Sequence, residues 1–306
     1  MTSRRHILSA LALSPLAAGV PVALRAQGDF TRTELAPGLT LIGGAGTNVV
    51  VAQGASGVVV VNGGAPAQAE ALLAEITALT GNKPVTALFN TTWRPEFCGL
   101  NHVLGSRGTP IIAHENTRLW QANTFHVDWQ DTEYRPMPKE AQANQTFYKT
   151  GSMQLDTETI EYGFISQANS DGDIYVHFTQ ADVLVVGTML GSDGYILLDY
   201  VTGGWIAGAQ KSTTGLLARA TDATKVIAAT GGILGKTHLQ EQADMLTHAY
   251  DRVSWAFQNG KSVQEFIDSK PMQDFEARWG NPELFLTLLY KSTWLHVPGR
   301  AVRNVI

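Results

Sequence analysis

Three short β-branched runs, Leu39 to Gly43, Asn48 to Ala52 and Gly57 to Val61, follow one another with only glycine-rich or Ala-Ser-Gly breaks between them. Runs of that length bounded by turn residues predict antiparallel strands of a meander. The period then changes. Pro66 stands at a first helical position, Leu72, Leu73, Ile76 and Leu79 recur at helical spacing, and Gly81 ends the repeat, which predicts a helix packed by one face. Val85 to Asn90 reads as a strand, Phe97 to Gly105 as a helix and Pro110 to Ala113 as another strand. That order predicts a sheet with helices on its outer face.

Residues 119–150 carry many aromatic and polar side chains with little periodicity. We read them as a long excursion at the domain edge, serving as a binding loop or as a plain surface insertion. Strand patterns resume at Thr159 to Ile165, Asp173 to Phe178 and Val183 to Val186, with Asp171-Gly172 as a turn. A helix is predicted over Trp205 to Ala220 and a last strand over Lys225 to Ala229. Leu239, Ala243, Leu246, Tyr250, Val253 and Phe257 then keep a helical period that Gly260 closes, and Val263 to Ser269 and Pro282 to Trp294 predict two further helices. Two strand-rich halves, each followed by helices and joined without a low-complexity linker, predict one β-sandwich domain with helices on both outer faces.

The charge balance narrows the partners. With 22 Lys and Arg against 27 Asp and Glu, a net charge of −5, and no basic block beyond the first residues, nucleic acid and anionic membrane are not expected partners. The first 26 residues read as an address. Arg4-Arg5 precede an apolar stretch from Ile7 to Val20, and Ala26 suits the residue before a cleavage site, the pattern of a twin-arginine or ordinary export signal. The stretch is interrupted by Pro15 and Gly19 and falls short of about 20 apolar residues, so no membrane span is expected after cleavage. A mature domain of residues 27–306, with a helical segment 237–306, is then expected in the periplasm or outside the cell. Cys98 is the only cysteine, so no intrachain disulfide forms there.

Six short stretches in order carry a resemblance: VVVVNGG at 58–64, NTTWRPEFCGLN at 90–101, PIIAHENTR at 110–118, NSDGDIYVHF at 169–178, VLVVGTML at 183–190 and KVIAATGG at 225–232. The tail stretches GKSVQEFIDSKP and FEARWG add to it. Over nearly all the mature length the chain resembles the metallo-β-lactamase superfamily, in particular its exported hydrolase-like branch. The resemblance implies an α+β fold, a four-layer αββα sandwich, and a zinc site in which imidazoles and carboxylates hold a metal that acidifies water. At the positions it aligns with those ligands stand Thr92, Arg94, Glu96 and Phe97 in the first loop, then Asn169, Thr188 and Thr230. Asn62 stands where the family carries an aspartate.

Only Glu96 of the seven is a strong ligand type, and a guanidinium has no lone pair to give. No zinc or other cofactor is therefore expected. For Arg94 two readings stand: it pairs with Glu96 inside the former metal space, or it turns to solvent and Phe97 fills the cavity. A relocated site built from Glu96, Cys98 and His102, and a Cys98 nucleophile with His102 as base, are the lesser alternatives. His114 lies where the resemblance implies a histidine away from the metal, His177, His238 and His248 show no ligand spacing, and no serine elbow, P-loop or dinucleotide fingerprint is present. Two functions remain in competition. One is a non-catalytic exported protein that binds a small molecule or anion in the former metal pocket, or joins an active relative as a homo- or hetero-oligomer. The other is a hydrolase with an altered site that uses Glu96.

Overall fold

A computed structural model describes residues 29–296. The expected export signal, 1–26, and the end of the helical segment lie outside the described residues. The chain opens with four antiparallel strands, β1 (Thr31–Ala36), β2 (Leu39–Gly43), β3 (Val49–Gln53) and β4 (Val58–Val61). Helix α1 (Ala69–Thr80) ends on Gly81 in the left-handed conformation, where glycine has no steric penalty. Then come β5 (Val85–Phe89), α2 (Asn101–Gly105), β6 (Ile111–His114) and α3 (Glu115–Ala122). The excursion is more ordered than its pattern predicts. It holds α3, a hairpin of β7 (Phe125–Val127) and β8 (Thr132–Tyr134), and β9 (Gln145–Phe147), which pairs parallel with β6. The first sheet runs β1-β2-β3-β4-β5-β6-β9.

The second sheet is built from β10 (Thr150–Leu155), β11 (Glu158–Gly163), β12 (Tyr175–Phe178), β13 (Val183–Gly187) and β14 (Lys225–Ala228), in that order. Helix α4 (Ile206–Arg219) joins β13 to β14, and α5 (Lys236–Gln258), α6 (Val263–Asp268), α7 (Glu276–Trp279) and α8 (Glu283–Trp294) follow. No helix among the described residues is long and apolar enough to cross a membrane.

Strand alternation assigns the layers. In β4, Val59 and Val61 pack between the sheets with Val50, Phe89, Val176 and Val185, whereas Val58 and Val60 face Leu72 and Ile76 of α1 and Leu104 of α2. In β13, Leu184 and Val186 turn outward onto Ala209 and Leu216 of α4 and Leu246 and Val253 of α5. Each fully buried Val or Leu contributes about 1.5–3 kcal/mol, so three apolar layers hold four structural ones. The molecule is the expected αββα sandwich.

Parallel pairing of β4, β5 and β6, and of β13 and β14, places the ends of several strands at one edge. Asn62, directly after β4, adopts φ 67°, tolerable for asparagine. Its Oδ1 accepts from Thr91 N at 3.2 Å and Thr91 Oγ1 at 2.8 Å, and its Nδ2 donates to Asn48 O. Asn48 in turn donates to Ala228 O and Gly231 O, both at 3.0 Å. Asparagine keeps the acceptor an aspartate would supply and adds a donor without adding charge. A buried chain of amides thus ties the two sheets together at this edge.

Candidate functional site

The loop after β5 turns inward through Thr92 and Arg94, both buried. Pro95 starts a single 3-10 turn, Pro95–Phe97, and α2 begins only at Asn101, so the helix predicted from Phe97 is shorter and later. Buried side-chain amides fasten the loop from behind. Asn90 and Asn101 exchange hydrogen bonds at 2.7 and 2.9 Å, Asn101 also donates to Ala141 O, and Gln121 Nε2 donates to Asn90 Oδ1 at 3.1 Å.

Arg94 forms an ion pair, with a partner other than the one expected. Its Nη2 lies 2.9 Å from Asp199 Oδ2, with side chains only 4% and 0% exposed. No hydrogen bond or ion pair joins it to Glu96, and it does not turn to solvent, so both sequence readings of Arg94 are corrected. Asp199 arrives from the segment between β13 and α4, as the first residue of a turn whose Val201 N donates to Oδ1. Trp129 Nε1 donates to the same Oδ1 at 3.0 Å. The guanidinium lies 5.0 Å from the Trp93 ring centroid and 5.7 Å from that of Trp129. Attraction to two ring faces and one carboxylate keeps the cation in a dry site. Loop, excursion and post-β13 segment therefore meet on one charge.

Asp199 N donates to Asn169 O at 3.1 Å, which joins this pair to the other half of the predicted site. Asn169, Thr188 and Thr230 line one cavity of about 270 Å3 together with Ser192, Asp193 and Tyr195. Asn169 Oδ1 and Thr188 Oγ1 are buried without a hydrogen-bond partner in the chain, while Thr230 Oγ1 meets Ser192 Oγ at 3.1 Å. Burial, with the Glu276 charge adding to it, pushes the Tyr195 hydroxyl up to about 12, so it stays protonated. Beside Asn169, Asp173 accepts from Ser170 N at 2.7 Å and Ser170 Oγ at 2.8 Å. Burial pushes its carboxyl up to about 6, against those hydrogen bonds and the nearby Arg94 charge.

The remaining predicted residues stand elsewhere. Phe97 is packed in the core and Glu96 is half-buried, its carbonyl accepting from Thr47 Oγ1. Cys98 precedes α2 instead of sharing its face with His102. Its buried Sγ lies 3.4 Å from Gln121 Nε2, and burial pushes the thiol up to about 12 despite that hydrogen bond. It is neither a ready metal ligand nor a ready nucleophile. His102 is largely exposed and 3.5 Å from Glu140. Among the described residues no three His, Cys, Asp or Glu side chains gather to hold a metal. The donors present do not fit zinc: the buried carboxylates of Asp173 and Asp199 are engaged by Ser170 and by Arg94 with Trp129, and the aligned positions offer hydroxyls, an amide and a guanidinium.

Sequence reasoning missed Asp199, Asp173 and the part played by Trp129. One signal was there: a carboxylate directly after Ile196-Leu197-Leu198 will be buried and needs a cation.

No family sequence model matches the chain, nor does any curated protein sequence. Solved structures do. A metallo-β-lactamase from Pontibacter korlensis superposes with a TM-score of 0.57 at 15% identity, covering 71% of this chain and 99% of that one. The DIM-1 metallo-β-lactamase superposes with a TM-score of 0.57 at 15% identity, covering 72% and 98%. At such identity the shared property is the fold: this chain has the metallo-β-lactamase fold.

Proposed function

We propose that the protein is an exported, non-catalytic binding protein on the metallo-β-lactamase fold, its zinc site given up. The observation that carries this reading is the buried Arg94–Asp199 pair. Arg94 stands at a position the resemblance aligns with a metal-binding histidine, and it brings a fixed positive charge with its own carboxylate. A dication beside a dry guanidinium meets repulsion and finds no lone pair.

The ligand space in this reading is the cavity of Asn169, Thr188 and Thr230. Of the small molecule or anion expected from the sequence, the anion suits it poorly. Arg94 is neutralised by Asp199, and the one charged residue on the cavity wall is Asp193. Unpaired amide and hydroxyl groups fit an uncharged molecule carrying several hydroxyls, since a buried polar atom left unpaired costs about 1–3 kcal/mol. Glu96 lines neither this cavity nor the aromatic one between the loop 93–99 and the excursion. Export rests on the N-terminal pattern alone, and N-terminal sequencing of secreted protein at Gln27 tests it.

Metal analysis of protein purified without chelator, followed by thermal-shift assays with uncharged polyols and with acetate and phosphate, tests the rest. We expect far less than one zinc or iron per chain and a rise in Tm with polyols only. Near-stoichiometric metal, or a rise with anions alone, would falsify the reading.

A further inference from the structure

A second cavity, of about 230 Å3, opens between the loop 93–99 and the excursion, on walls made by Trp93, Trp120, Phe125, Tyr134, Met137 and Cys98. Its rings are arranged to receive another. Trp93 meets Phe125 edge-on at 4.9 Å and 79°, and Tyr134 at 4.8 Å and 86°, while Phe125 and Tyr134 stack at 5.4 Å and 19°. Such a wall presents both faces and edges, the two contacts an aromatic guest prefers. Met137 is half-buried at the mouth, and its flexible thioether adapts to a flat surface.

Charge and size select the guest. The two basic side chains on the lining each have a carboxylate beside them: Arg135 Nε lies 2.9 Å from Glu133 and His102 Nδ1 lies 3.5 Å from Glu140. The mouth therefore offers no unanswered positive charge to an anion. Gln121 is fully engaged, donating to Asn90 and Cys98 and accepting from Ala143 N. One donor is left over, Trp93 Nε1, which is buried without a partner in the chain. A dry cavity of about 150 Å3 suffices for benzene, so this one has room for one or two fused rings.

We propose that this cavity is a binding site, separate from the polar one, for a flat, uncharged aromatic molecule of one or two fused rings bearing a single hydrogen-bond acceptor. The Cys98 thiol on its wall stays protonated, so the guest is held and not modified.

Calorimetric titration of the full chain with 2-naphthol and with 2-naphthalenesulfonate tests this. Saturable binding of 2-naphthol is expected, with the sulfonate at least tenfold weaker. Met137→Trp, which fills the mouth from a half-buried position, should weaken 2-naphthol at least tenfold, and Phe125→Leu, a milder change that keeps the site apolar, should weaken it severalfold. Thr188→Val, in the polar cavity, should leave it unchanged, which separates this proposal from the one above. No saturable binding, equal affinity for the sulfonate, or unchanged affinity in a folded Met137→Trp or Phe125→Leu protein would overturn it.

Discussion

The two halves of the region that the family resemblance aligns with a zinc site differ in kind. On the loop side, Arg94 carries a charge that must be answered, and Asp199, Trp129 and Trp93 answer it, although Arg94 Nε is left buried without a hydrogen-bond partner. On the strand-end side, Asn169, Thr188 and Thr230 are neutral and small, and the cavity there remains open with polar atoms unpaired. A buried charge demands partners around it, because a buried ion without one costs several kcal/mol. A neutral residue makes a smaller demand and leaves space. The loop side is held as structure, and the strand-end side has the shape of a site.

The largest effect is expected where the charge is. Arg94→Met leaves the Asp199 carboxylate buried and unpaired, and should lower stability by about 3–5 kcal/mol, measured by urea denaturation. Adding Asp199→Asn removes the stranded charge yet keeps an acceptor for Trp129 Nε1, so the double variant should recover most of the loss. A loss below about 1 kcal/mol for Arg94→Met would mean the loop side is not held by this pair, and the contrast between the halves would fall.

How visible these halves are in the sequence also differs. Central strands announce themselves: Val58 to Val61 are buried on both faces, and an unbroken β-branched run is what such a position needs. The edge strands β1 and β10 escaped notice because their exposed positions are polar, as in TRTELA with four exposed residues in a row, the usual treatment of an unpaired edge. The neutral site residues Asn169, Thr188 and Thr230 were placed by the family resemblance, through stretches that include recognisable strands. The partner of Arg94 could not be placed, since Asp199 lies 105 residues away and no local spacing encodes a long-range ion pair. The order of the excursion was hidden for a related reason: Trp120, Phe125 and Tyr134 pack on one another and on Trp93 across separate segments, not at a helical or strand period.

Asp173, between the halves, gives a pH test of intermediate size. Its carboxyl is raised to about 6 in the folded chain, against about 3.9 unfolded. The folded state therefore holds this proton to higher pH than the unfolded state does. Its contribution is fully present below about pH 3.9 and is lost as pH rises through about 6, with a ceiling of about 3 kcal/mol. His114 and His177, both lowered chiefly by burial, act in the opposite sense, losing stability as pH falls below about 6.5. Subtracting the Asp173→Asn curve cancels them. The difference between the two proteins should change by up to about 3 kcal/mol between pH 4 and pH 6.5, moving in favour of the variant as pH rises; parallel curves would show that the carboxylate is better solvated than its burial indicates.

The smallest effect probes the open side. Thr188→Val replaces an unpaired buried hydroxyl by a methyl of nearly equal volume. If the cavity serves stability, the change should cost, as loss of a hydrogen bond does. If it serves a ligand, the free protein should be unchanged or up to about 1 kcal/mol more stable, because the hydroxyl has no partner in the chain to lose. The polyol-induced rise in Tm should shrink in the same variant. Stability and ligand response moving in opposite directions is the signature of a group kept for something it binds, since packing alone gives no reason to retain an unsatisfied hydroxyl where valine fits. A variant that is destabilised by more than about 1 kcal/mol and still responds to polyols would place Thr188 with Arg94, among the residues that hold the fold.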